Sequence, residues 1–394
     1  MKYAAITERL AHLGGAKWEL HIEAKARRAR GEPILSLSIG EPDLPPPPEV
    51  IAAARESMDA GRLGYSNGRG EAPLLEALAR RYSRRTGREI TPRQFVAFPG
   101  TQTTLYAVLT TLVGPGDEVI VGDPLYATYE GLIAATGASA VMVPLKPEHG
   151  FRLQPADVAA AITPATRLLF LNTPHNPTGA MLRPEEIAGL GALARQHDLW
   201  ILSDEVYEEL TFGNTPFVSP FDSADLAERV VCAASISKSH ALPGFRSGWC
   251  VGPEDFTARL LPVAETMLFG NQPFIADATA LAVSAPSPIA PQMAQAFSRR
   301  AQILHRMLDG RAGLRVNQPE AGMFALVDVR ATGLSGIEFA WSLLDQERLA
   351  VMPGESFGAA LAGWLRLGLT VPDDMVAEAA RRILRLAERV REAA

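Results

Sequence analysis

The stretch LLFLNTPHNPTG, Leu168–Gly179, decides the fold reading. Its first four residues are apolar with no alternation, so a strand there is buried on both faces, as in a mostly parallel α/β sheet. Polar and turn-forming residues follow at once, from Asn172 through Asn176 to Gly179. Outward from this stretch the same order recurs. Phe95–Phe98 runs into Gly100-Thr101-Gln102 and a helical pattern over Gln102–Val113. Glu118–Val121 runs into Asp123-Pro124-Leu125-Tyr126, and Leu199–Leu202 into Ser203-Asp204-Glu205-Val206-Tyr207. Val230–Ala234 runs into Ser235-Ile236-Ser237-Lys238, and Ser247–Val251 is a further apolar run. In an open parallel sheet, ligands bind outside the carboxyl ends of the strands. The pattern therefore predicts a small-ligand site along one sheet edge.

The flanks read differently. Before the sheet come a helical stretch, Ala16–Arg30, a short strand, Ile34–Ser38, and a rigid connector, Pro45–Pro48. After about residue 296, long Arg/Ala/Leu helices surround two strand-like runs, Met323–Val329 and Trp364–Leu369. The expected division is an N-terminal segment (1–45), a large domain (46–295) and a small C-terminal α/β domain (296–394), which suits 394 residues. The apolar and charged fractions, 47% and 21%, are those of an ordinary globular chain. A net charge of −6 carries no footprint for nucleic acid or an anionic membrane. With no signal-peptide pattern and no run of about 18 apolar residues, the expected place is the cytosol. Cys232 and Cys250 both sit in apolar runs and read as inert core thiols, not as a disulfide framework or metal cluster. No GxGxxG follows a strand, since Gly68-Arg69-Gly70 sits in a loop, and no GxxxxGK[ST] occurs.

Each residue at the predicted edge has two readings. Gly100-Thr101-Gln102 offers free N–H groups and a hydroxyl to an anion, with Ser235, Ser237 and Arg246 as further donors, a set suited to a phosphate monoester. The same Gly-Thr start is equally an ordinary helix cap. Asp204, directly after an apolar strand, is a helix N-cap or a partner for a buried cation such as a protonated pyridine nitrogen. Tyr207, three residues on, would share a helical face with it, or fill the core. Lysine is scarce: Lys2, Lys17, Lys25, Lys146 and Lys238 are the five, and Lys238 alone lies beyond residue 146. It is a solvated surface amine or, in an apolar cleft near cations, a nucleophile of lowered pKa.

Read together, SIGEPD (Ser38–Asp43), YSNGRGEAPL (Tyr65–Leu74), PGTQTTL (Pro99–Leu105), GPGDEVIVGDPLYATY (Gly114–Tyr129), NTPHNPTG, SDEVY (Ser203–Tyr207), SISKSHALPGFRSGW (Ser235–Trp249) and RLGL (Arg366–Leu369) resemble the class I/II, fold-type I aminotransferases. The resemblance spans essentially the whole chain. It implies pyridoxal phosphate as cofactor, a seven-stranded mostly parallel sheet sandwiched by helices, and a homodimer. It also implies roles: Lys238 bonds the cofactor and moves the Cα proton, Asp204 keeps the ring nitrogen protonated, Asn176 and Tyr207 meet the ring's 3′-oxygen, and Tyr126 stacks on the ring. Gly100, Thr101, Gln102, Ser235, Ser237 and Arg246 would hold the phosphate, with Tyr65 reaching across from a second subunit. Arg366 would grip the substrate α-carboxylate, assisted by Asn176 and the Gly40 backbone.

The implied reaction moves the α-amino group of an L-amino acid to a 2-oxo acid. Between Leu260 and Ser298 there is no Lys or Arg, against the basic residue that aspartate-specific members commonly place there. AKWELHIEAKA, SKSHALPGFRSGW and AGMFALVDVRATGLS are most similar to the arginine–pyruvate transaminase branch, which implies L-arginine and pyruvate. Trp18, Glu19 and Glu265 are then the candidates to meet a guanidinium. A neutral, aromatic or aspartate donor, or a C–S lyase on the same fold, is the alternative. A ligand-sensing domain of a transcription regulator is disfavoured by the short N-terminal segment and negative charge.

Overall fold

Strands with no polar face must be covered on both sides, and the computed structural model shows how. It describes residues 2–11, 13, 15–213 and 215–392; of the expected segments, residues 1, 12, 14, 214 and 393–394 lie outside that description. In chain order the strands are β1 (Leu35–Ser36), β2 (Phe95–Phe98), β3 (Glu118–Asp123), β4 (Ser139–Pro144), β5 (Thr166–Asn172), β6 (Trp200–Asp204), β7 (Val230–Ser235) and β8 (Gly248–Val251). They are followed by β9 (Arg315–Asn317), β10 (Phe324–Asp328), β11 (Leu349–Ala350), β12 (Met352–Pro353) and β13 (Trp364–Gly368).

Seven strands form one sheet in the order β2-β8-β7-β6-β5-β3-β4. Only β8 runs antiparallel to its neighbours. Successive side chains enter opposite cores: Phe95, Ala97, Leu169 and Leu171 pack on one face, Val96, Phe98, Leu168 and Phe170 on the other. Each such large side chain contributes about 1.5–3 kcal/mol by leaving water. Cys232 and Cys250 fall on opposite faces as free buried thiols, and burial pushes the Cys250 thiol up to about 12.

The second sheet, β12-β13-β10-β9, is antiparallel throughout. It shares one core with the helices Ala290–Leu308, Gly336–Glu347 and Asp373–Glu392. β1 pairs in parallel with β11, and Gly368 N–H donates to the Leu37 carbonyl at 2.7 Å, so the N-terminal segment is fastened to this C-terminal layer.

Two local expectations need correction, and the strand β4 has no counterpart in the sequence reading. The helix expected over Ala16–Arg30 forms only over Glu19–Ala29, after a 3-10 turn at Gly15–Trp18. No helix follows β6: residues 206–209 form a turn, so helical spacing is not what relates Tyr207 to Asp204. β4 lies at the sheet edge with half-exposed residues and so lacks the buried-strand signature that reveals the others.

A close backbone approach lies under the predicted anion site. A Cβ on Gly248 would come within 2.8 Å of the Gly100 carbonyl carbon and 2.9 Å of Ala234 O and Thr101 N. Backbone atoms cannot yield cheaply, so Gly248→Ala is expected to lose about 1–3 kcal/mol in chemical denaturation. Gly114→Ala, with nothing within 4 Å of its Cβ, is the control and should stay within about 0.5 kcal/mol.

Candidate active site

The carboxyl ends of β5, β6 and β7 open onto a cavity of about 270 Å³. Its phosphate-like corner is built from backbone. Gly100, at φ +85°, lets the chain turn into the helix Thr101–Leu112; a Cβ there would collide with the Arg246 guanidinium. The first N–H groups of that helix have no intrahelical acceptor. Thr101 Oγ1 is buried without a partner. Arg246 donates to the Pro243 carbonyl at 2.9 Å and the Pro99 carbonyl at 3.2 Å, and pairs with no carboxylate among the described residues. Ser235 Oγ accepts from Ser237 N–H, and Gln102 Oε1 from Thr128 Oγ1. Orphan hydroxyl, free amides and a guanidinium without a counter-charge fit a phosphate monoester.

Opposite this corner sits Asp204, the last residue of β6. Its Oδ1 accepts from Val206 N–H at 3.1 Å, which is the capping role, and its Oδ2 from the Tyr129 hydroxyl at 2.7 Å. Burial pushes its carboxyl up to about 6. Asp204 thus caps the turn and is also a buried carboxylate lining the cavity. Tyr129 was not expected here. Its signal was its place three residues after Tyr126, but an aromatic in a helix reads first as core. Asn172 clasps the neighbouring strand ends, donating to the Asp204 carbonyl at 3.0 Å and accepting from Asn176 N–H at 2.8 Å.

Lys238 extends from the single helical turn Ile236–Ser239 into the cavity, and its Nζ donates to the Gly40 carbonyl at 2.9 Å. Burial, helped by the charges of Arg366 and Arg246, lowers its amine to about 8, although Glu41 opposes the shift. At that value an appreciable neutral fraction exists near neutral pH, as an amine nucleophile requires. Tyr126 and Tyr207 line the same wall, and burial raises both phenols.

Arg366, in β13, is 1% exposed. Nη1 donates to Asn176 Oδ1 at 3.1 Å, Nη2 to the Ser38 carbonyl at 2.8 Å, and Nε has no partner. Phe324 and Phe357 hold the guanidinium between their rings, with centroids 4.1 and 4.2 Å away. Burial lowers it to about 10, so it stays cationic at neutral pH.

Thus Trp18, Gly40, Thr101, Gln102, Tyr126 and Asn176 meet around one cavity with Asp204, Tyr207, Ser235, Ser237, Lys238, Arg246 and Arg366. Gly100 stands at its rim through the helix start. Tyr65 does not join them: it is 95% exposed, edge-on to Phe269 at 6.2 Å. Glu265 is exposed and lies against Gly68 of the same loop, and Glu19 is exposed on its helix; neither lines the cavity.

The raised carboxyl of Asp204 has a stability consequence. Without a cationic partner its charge is a burden that grows as pH rises from about 4 through about 6, the interval between the ordinary and the folded value. In cofactor-free protein, Asp204→Asn is expected to gain up to about 3 kcal/mol above pH 6 and nothing near pH 4, by denaturant titration at both pH values.

Comparison with known proteins completes this picture. The family model for "Aminotransferase class I and II" matches residues 32–383. The arginine–pyruvate transaminase AruH of Pseudomonas aeruginosa is 45% identical over 97% of both chains. The aspartate aminotransferase of Bacillus subtilis is 32% identical over 94% of this chain and 96% of its own. Among solved structures, the aspartate aminotransferase from Thermus thermophilus with maleate superposes with a TM-score of 0.92, at 29% identity over 98% of this chain and 100% of that one. With sheet, cavity and sequence in agreement, this chain belongs to the class I and II aminotransferases, enzymes that work with pyridoxal phosphate.

Proposed function

We propose that this aminotransferase takes the amino group of L-arginine and passes it to pyruvate, acting as a cytosolic homodimer. The likeness to AruH along the whole of both chains carries the choice of substrates. The stretch Leu260–Ser298, without Lys or Arg, supports it by offering no charge to a second substrate carboxylate. Trp18, on the cavity wall, presents an aromatic side chain of the kind that attracts a guanidinium.

In this reading the chain divides into the N-terminal segment 1–45, the large domain 46–295 and the small domain 296–394. The first brings the Ser38 and Gly40 carbonyls to Arg366 and Lys238. Gly100, Thr101, Gln102, Ser235, Ser237 and Arg246 would hold the cofactor phosphate, Asp204 its ring nitrogen, Asn176 and Tyr207 its 3′-oxygen, and Tyr126 its ring face. When bound, pyridoxal phosphate supplies a conjugated cationic ring that takes up the charge left at Cα. Lys238 Nζ is the base that removes the Cα proton, and burial has already brought its amine into the working pH range. Arg366 orients the substrate by its α-carboxylate, which donor and acceptor share, so one guanidinium serves both halves of the transfer.

The second subunit enters through Tyr65. In one protomer it points into solvent, amid exposed Leu63, Met267 and Phe269. The two segments touch: a Cβ on Gly270 would lie 2.5 Å from Asn67 O. Such an apolar patch favours coverage by a second copy.

Two experiments test the reading. Holoenzyme mixed with single L-amino acids, without any oxo acid, should lose its cofactor absorbance band fastest with L-arginine and regain it on adding pyruvate. A response confined to neutral or aromatic amino acids would discard arginine as donor. Mixing Lys238→Ala with Tyr65→Ala protein should recover activity that neither variant shows alone, because each hybrid dimer carries one intact site. No recovery after subunit exchange would contradict a shared site.

A further inference from the structure

Two of the residues read above as acting on cofactor or substrate, Tyr207 and Lys238, sit on short turns, residues 206–209 after β6 and Ile236–Ser239 after β7. One turn of backbone holds itself poorly, because few hydrogen bonds repay its lost entropy. Something outside each turn must fix it. A partly buried polar cluster adjoins both and shares Val206 and Ser235 with the cavity wall.

The cluster is built on the helix Ala72–Thr86, whose Arg81 and Arg85 lie four residues apart on one face. Arg81 Nη2 donates to Glu208 and Glu209, both at 2.8 Å. Arg85 Nη1 donates to Glu208 at 2.7 Å and approaches Glu205 at 3.5 Å, while its Nε holds Asp222 at 2.8 Å. Glu205, fully buried between Asp204 and Tyr207, also accepts from the Ser219 hydroxyl and, at 3.0 Å, the Cys232 thiol. The chain of bonds goes on to the second turn. Glu209 accepts from Ser287 N–H at 2.8 Å, and the Ser287 hydroxyl donates to the Ser239 carbonyl, one residue after Lys238. Beside it, His240 is held between the Ser239 hydroxyl and the Ala282 carbonyl.

We propose that Arg81 and Arg85 are positioning residues: through Glu205, Glu208 and Glu209 they set where Asp204 and Tyr207 stand, and through Ser287 they tie that turn to the one carrying Lys238. Buried ion pairs of this kind add little net stability but admit few arrangements, which is what a site tolerant of small errors only would need. Helix Ala72–Thr86 also follows directly on the loop that presents Tyr65, so one rigid element would register all three parts. The proposal rests on the reading of Asp204, Tyr207 and Lys238 given above.

The test uses holoenzyme carrying Arg85→Met, Arg85→Lys or Glu205→Gln. The readouts are the pH midpoint of the bound cofactor's absorbance change, and kcat and KM for the amino donor. Arg85→Met and Glu205→Gln should move the midpoint by about half a unit or more and lower kcat about tenfold, with KM changed far less. Arg85→Lys should restore part of both. If Arg85→Met does not fold, Glu205→Gln, which keeps the shape but removes the charge and turns one accepting oxygen into an amide donor, carries the test. Folded variants with the parent's midpoint and kcat would overturn the proposal. Turnover persisting in Lys238→Ala would overturn it differently, by removing the site reading beneath it.

Discussion

Arg366 is a buried cation that meets no carboxylate among the described residues. Carbonyl and amide oxygens and two phenyl faces partly replace the water it has lost. Such a group is costly to bury. It is tolerable because each neighbour is held by a different part of the chain. Ser38 belongs to the N-terminal segment, Asn176 to the loop after β5, Phe324 to β10 and Phe357 to the turn before β13. The cation is satisfied only when the two sheets and the N-terminal segment come together, and what it then lacks is an anion. That deficit is what the proposed contact of Arg366 with a substrate α-carboxylate would relieve.

The same logic runs through the rest of the cavity. Asp204 is a buried anion whose folded pKa is raised, and Lys238 a buried amine whose pKa is lowered. Arg246 and the start of the helix Thr101–Leu112 are donors without a charged acceptor among the described residues. Each is unfavourable alone, and under the proposed function each would be relieved by one part of a single bound cofactor. The fold stores these mismatches at the carboxyl edge of a sheet whose two apolar faces supply the stability to carry them.

Much of this was legible in sequence, for a physical reason. A strand buried on both faces writes an uninterrupted apolar run, so β2, β5, β6 and β7 stood out, and with them the polar residues at their ends. Lys238 stood out because lysine is rare in this chain. What escaped were groups whose role depends on distant neighbours. Tyr129 is an ordinary helix aromatic until Asp204 is placed opposite its hydroxyl. Phe324 and Phe357 read as core, which they are, while also flanking Arg366. Arg81 and Arg85 look like a solvated helix face, and only the fold brings three glutamates onto them. The turn after β6 reads as helix in the sequence because Asp204 caps both structures in the same way. Tyr65 is assigned by the resemblance alone, and within one protomer it stands exposed, away from the cavity.

The measurement closest to the central claim is made on Arg366→Met, read for stability and for substrate affinity in the same preparation. If the cation is held against its own interest to await a carboxylate, the cofactor-free variant will unfold at no lower temperature than the parent. Its KM will rise about a hundredfold or more for the amino donor and the 2-oxo acid alike. A variant that loses thermal stability while keeping the parent's KM for both would show that Arg366 serves the fold and not the substrate.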